Sequence, residues 1–261
     1  MAVYFAIVLL HFRCGTFSRT IHHEHRHRKD RRDGPSASLS PALDTASIQR
    51  SVNICPEQMA KTTVTGRVLA VQPRIRLLRS SDQRQHNYPG YALLIESGTS
   101  PFWIGVGPGA HAKHRFCAGG VFSAEVESIA NPELETIDYY KAAKIRFKPG
   151  EPQTTSPPPW SGVPPDLAIY RERGHRRLAE TTYESFCLSC IWGCRMPVEI
   201  TIDQWNPKEK QYRRETFCYG PKSCPKYRAG PIRKVPGRNN TVWEEEDWVD
   251  EEATSNRGPD D

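Results

Sequence analysis

Alternation of apolar and polar residues runs from position 62 to 148 and predicts a succession of β-strands. Positions 63–71, continued past Pro73 as 74–79, read as a first strand, with Gly66 placed where a strand often bends sharply. A polar interval from Ser80 onward ends in a Tyr88-Pro89-Gly90 turn, and 91–95 and 102–106 are the second and third strands. The Gly- and His-rich interval 107–116 fits a short helix or a loop. Residues 121–127 alternate, with Phe122, Ala124 and Val126 inward and Glu125 and Glu127 outward. Asn131-Pro132 opens a short helix toward Tyr139, and 143–147 form a last strand with Lys144, Arg146 and Lys148 outside.

Five strands with an insertion after the third resemble the OB-fold in number, order and spacing. The expected architecture is mainly β: a five-stranded OB-like barrel over 59–148, then a small Cys-rich β-hairpin module of zinc-ribbon type. The Pro-rich stretch 149–165 is a stiff linker. Asp166 then caps a helix running to about Ala179, with Leu167, Tyr170, Gly174 and Leu178 on one stripe. Within 166–238 a second alternating pair of strands, 198–203 and 212–217, flanks an Asn206-Pro207 turn and reads as a hairpin.

The two ends of the chain have a different composition. Residues 239–261 form an acidic tail, expected to be unstructured beyond Glu252. Residues 1–58 read as a disordered extension, with Met59 as the expected start of the protein. The apolar stretch 2–10 lacks a preceding basic residue and is a poor secretory signal. The tract 22–32 contains His23-Glu24-x-x-His27, the pattern of zinc proteases, but no apolar face would dock such a helix. No stretch of eighteen apolar residues occurs, so no membrane span is expected.

Five of the eight cysteines fall between Cys187 and Cys224, at the two ends of the hairpin. Clustering of this kind suggests metal in a reducing, cytoplasmic setting more than a disulfide framework. Cys187 and Cys190 form a Cys-x-x-Cys pair; Cys218 and Cys224 form a looser second pair, with Cys194 spare or replacing one of them. A closed site of four sulfurs would hold a structural zinc ion without catalysing anything. The alternative is an iron–sulfur cluster, suggested by Cys-x-x-Cys-x-x-x-Cys and the later Cys224-Pro225. Buried thiols, or a redox-active Cys-x-x-Cys, are the plainer readings.

The formal charge of +6 hides an asymmetry: 241–261 hold nine acids against one arginine, a local −8 that leaves +14 on the remainder. A basic body with an acidic tail suggests a polyanionic partner. On an OB-like barrel the candidate contacts for single-stranded nucleic acid are Arg67, Arg74 and Arg76 on the first strand, Trp103 on the third, and Lys144 and Arg146 on the fifth. Arg213 and Arg214 of the hairpin extend the set. No nucleophile–base pair, Walker loop or dinucleotide fingerprint stands out, which favours a non-catalytic protein, with a protein–protein adaptor or an iron–sulfur redox protein as alternatives. The segments Cys-Leu-Ser-Cys-Ile-Trp-Gly-Cys-Arg-Met-Pro-Val (187–198) and Phe-Cys-Tyr-Gly-Pro-Lys-Ser-Cys-Pro (217–225) resemble an uncharacterised prokaryotic family that pairs an OB-like barrel with a cysteine-rich module. The resemblance runs from about Met59 to Ala253 and implies no particular activity.

Overall fold

A computed structural model describes residues 61–98, 100–150 and 157–258. The expectations placed on 1–58 lie outside the described residues. The chain is mainly β, as its alternation predicts.

β1 (Thr62–Arg79) is one strand of 18 residues, spanning both halves of the first expected strand. Its N-terminal part, Thr62 to Arg67, pairs antiparallel with β4 (Val121–Ser128). From Arg67 onward it pairs antiparallel with β2 (Arg84–Glu96). The exchange of partners happens at Gly66, where a Cβ would lie 2.3 Å from the Glu96 carbonyl oxygen, too close for any side chain. Irregular register between Arg74 and Arg76 absorbs Tyr88 and Pro89 of β2, so the expected turn is a bulge inside a longer strand. The turn itself is tighter and earlier, with Ser80 N–H donating to the Gln83 carbonyl at 2.9 Å.

β3 (Phe102–Val106) pairs with β2, and α1 (Pro108–His114) leads from it toward β4. A single 3-10 turn at Pro132–Leu134 replaces the longer helix expected there; it precedes β5 (Tyr139–Lys148). β5 pairs antiparallel with β4 and touches β3 in parallel at Tyr139 and Ile104. The pairings β1-β2-β3-β5-β4 therefore return to β1. Val68, Ile75, Leu77, Leu93, Ile95, Ile104, Phe122 and Val126 of these strands are buried together in one apolar core.

The C-terminal half continues the same sheet. α2 (Leu167–Arg173) stops at Gly174, short of Ala179, and is followed by β6 (Arg176–Arg177) and α3 (Glu180–Thr182). A π turn at Tyr183–Cys187 leads to the hairpin of β7 (Gly193–Thr201) and β8 (Lys210–Cys218). β7 runs parallel beside β1, pairing Val198, Glu199 and Ile200 with Leu77, Leu78 and Arg79. The order of the eight-stranded sheet is β2-β3-β5-β4-β1-β7-β8-β6. Met196, Val198, Ile200, Phe217 and Tyr219 join the residues inside β1 to β5 in one apolar core.

β9 (Arg233–Pro236) and β10 (Val242–Glu245) form a separate ribbon, followed by α4 (Asp247–Ala253). The sequence predicts an unstructured chain beyond Glu252, yet Arg257 is buried and donates to the Gly220 carbonyl at 2.6 Å; ahead of it, carboxylates of the acidic tail reach buried arginines. Asp250 Oδ2 accepts from Arg177 Nε at 2.9 Å, and Glu245 Oε1 lies 2.5 Å from Arg79 Nη2.

Candidate functional site

The hairpin brings its ends together as its pattern predicts, with Gly193 opposite Cys218. Cys190 N–H donates to the Cys187 carbonyl at 3.1 Å, closing the Cys-x-x-Cys turn. Cys187, Cys190, Cys218 and Cys224, with Trp160 and Trp192, border one small space of about 10 Å3. Yet among the described residues no group of three or more His, Cys, Asp or Glu side chains is placed to hold a metal ion. Both the zinc expectation and the iron–sulfur alternative are overturned by that finding.

The sulfurs serve instead as packing groups. Cys187, Cys190 and Cys218 form an apolar cluster with Leu178 and Tyr183 under Trp160 and Trp192. Cys218 Sγ accepts the Gly220 N–H at 3.3 Å. Cys194 sits apart, fully buried in the main core, its thiol directed at the Pro73 carbonyl 3.3 Å away. Burial pushes the thiol of Cys187 up to about 12 and that of Cys190 up to about 11, and raises those of Cys194 and Cys218 as well. A thiol held neutral in this way is a poor nucleophile.

Of the β1 arginines, Arg74, Arg76 and Arg79 are engaged within the protein. Arg74 donates to Glu135 from Nε at 3.1 Å and from Nη2 at 2.6 Å, and Arg76 pairs with the same carboxylate. Arg213 is held by Glu215 and by the Lys234 carbonyl, on the side of β8 that faces β9. Arg67 and Arg146 are exposed, and Lys144, also exposed, pairs with Glu125 at 2.6 Å.

Trp103 and Arg214, in contrast, meet in one cleft of about 200 Å3. Its floor is the outward side of β1, β2 and β3, at Gln72, Ala92 and Trp103. The β4–β5 connection forms one wall through Ile129, Pro132 and Asp138; Tyr183, Arg195 and Arg214 form the other. Trp103 is half-buried, and its backbone N–H donates to Asp138 Oδ2 at 2.7 Å. Arg214 is braced by the Pro132 carbonyl at 3.0 Å, and Arg195 lies over the Tyr183 ring at 4.9 Å. Sequence reasoning missed Gln72, Tyr183 and Arg195. The one local signal was Gln72, a polar residue where the first strand is otherwise apolar.

Among the described residues no helix is long and apolar enough to cross a membrane. Comparison of the chain with protein-family models, curated proteins and solved structures finds no match.

Proposed function

We propose that this chain is a non-catalytic, single-stranded nucleic-acid-binding protein, and that the cleft around Trp103 is where the strand is held. The carrying observation is the cleft's place on the fold. β1 to β5 pair in the cyclic order 1-2-3-5-4, with a helix between the third and fourth. This order supports an OB-like barrel as the finer description of that part of the sheet. OB-folds take oligonucleotides on the face of their second and third strands, flanked by the 1–2 and 4–5 loops. The cleft occupies that face, with the β4–β5 connection as a wall.

The site offers one stacking platform, Trp103, with the guanidinium of Arg214 beside it; Arg195, also in the lining, pairs with Glu184 at 3.1 Å. A base stacked on an aromatic side chain contributes about 1–3 kcal/mol and needs no particular sequence. Phosphate contacts add a part that weakens as salt rises. The reading shifts the nucleic-acid contacts away from Arg74 and Arg76, whose charges Glu135 already balances.

Fluorescence anisotropy of labelled oligo-dT and oligo-U against the full chain, over a salt series, tests this reading. Trp103→Ala should weaken binding by about 1–3 kcal/mol, and Arg214→Ala should reduce the salt slope by about one. Absence of oligonucleotide binding at low salt would refute it, and binding indifferent to Trp103 would move the site elsewhere.

A further inference from the structure

A second cleft, of about 470 Å3, opens between the start of β2 and the end of α2. Its walls are Arg84, His86 and Tyr88 from β2, and Arg171, Gly174 and His175 from α2 and the residues after it. Among the described residues no carboxylate lines it. Glu245 pairs with Arg79, with contacts of 3.0 Å to Nη1 and 2.5 Å to Nη2. Arg84 reaches the same carboxylate through Nη1 at 3.4 Å, so that two guanidinium groups meet one carboxylate there. Arg171 lies over the Tyr88 ring, 4.9 Å from its centre, which orients the guanidinium at the cleft's edge.

The imidazoles of His86 and His175 meet edge to face, 4.8 Å between centres. His86 Nε2 is buried and, among the described residues, has no hydrogen-bond partner. A buried nitrogen of this kind is satisfied by a bound ligand or by water. Two guanidinium groups with donors to spare, beside an imidazole nitrogen seeking a partner, make a setting for a tetrahedral oxyanion.

We infer that this cleft binds a phosphate group, with Arg84 and Arg171 as charged donors and His86 contributing Nε2. Free phosphate and the phosphate of a nucleoside monophosphate present the same chemistry to these residues. The site is distinct from the cleft around Trp103. Loss of oligonucleotide binding would leave it untouched, just as failure to bind phosphate would leave that reading intact.

Isothermal titration of the full chain with inorganic phosphate, and in parallel with adenosine monophosphate, provides the test. Saturable binding is expected, weakened roughly tenfold or more by Arg171→Ala and by Arg84→Ala, and unchanged by Arg67→Ala. Tighter binding of the nucleotide would identify it as the source of the group, and equal binding would identify free phosphate. Should Arg84→Ala fail to fold, the exposed Arg171 still gives the answer, and the ring resonances of His86 should shift on phosphate addition. No saturable binding of either compound, or binding that survives Arg171→Ala intact, overturns the inference.

Discussion

The side-chain amide of Gln72 donates to the carbonyls of Cys187, Leu188 and Cys190 at 2.8, 3.0 and 3.1 Å, while its oxygen accepts the Tyr183 hydroxyl at 2.7 Å. One buried residue of β1 thus ties the Cys-x-x-Cys turn to the strand that forms the floor of the Trp103 cleft. Gln72→Ala leaves buried polar groups without partners and should lower the unfolding free energy by about 3 kcal/mol. Gln72→Glu should cost more, because a carboxylate would face carbonyl oxygens. Urea denaturation of both variants checks this, and a change under about 0.5 kcal/mol would mean that water replaces the amide at little cost. Alternation along β4 identifies the inward residues Phe122, Ala124 and Val126 from the sequence alone. Such a pattern carries no information about Arg74, whose partner Glu135 lies 61 positions away. The sequence reading of Arg74 as a nucleic-acid contact therefore had no view of that pairing. Trp103 and Arg214 were singled out for their chemistry, and the fold supplied the cleft that joins them.

The hairpin of β7 and β8 was legible because a period of two and an Asn-Pro turn are local signals. Where the hairpin docks was not, since parallel pairing with β1 depends on residues more than a hundred positions apart. α2 shows the opposite failure. Leu167, Tyr170, Gly174 and Leu178 fall on a helical stripe, yet Gly174 takes φ of 65°, ends the helix, and lets α4 approach. A Cβ there would lie 1.8 Å from the Ala253 carbonyl oxygen. Gly174→Ala should therefore displace α4 and cost about 2–4 kcal/mol, from backbone strain and lost packing together. Limited proteolysis would show early cleavage in the C-terminal segment. A variant as resistant as the wild type would mean that α4 contributes little to holding the chain closed.

Across the whole molecule, charge composition located the basic body and the acidic end but not their relation, because a run of acids can be solvated or docked. Here Glu245 meets Arg79 across 166 positions, so the end of the chain acts as an internal counter-ion. The histidines beside that contact give the fold a pH dependence. Burial, reinforced by Arg84 and Arg79 and opposed by Glu245, lowers His86 to about 4. Burial, with His86, Arg233, Arg84 and Arg257 adding to it, holds His175 well below its ordinary value, and burial lowers His111 too. In the unfolded chain these rings titrate near ~6.5. As pH falls from there toward the folded values, the unfolded state takes up protons that the folded state refuses. Stability from this source is complete above about pH 6.5 and declines on acidification, by about 3 kcal/mol from His86 alone. A phosphate bound beside His86 would favour its protonated ring, against the arginines around it, and so flatten the decline. Urea midpoints at about pH 7 and about pH 4.5, with and without phosphate, measure both effects. A midpoint level across that interval, with the ring resonances of His86 and His175 titrating near the unfolded value, would mean that these imidazoles are in contact with water and that the cleft they border is open and uncommitted.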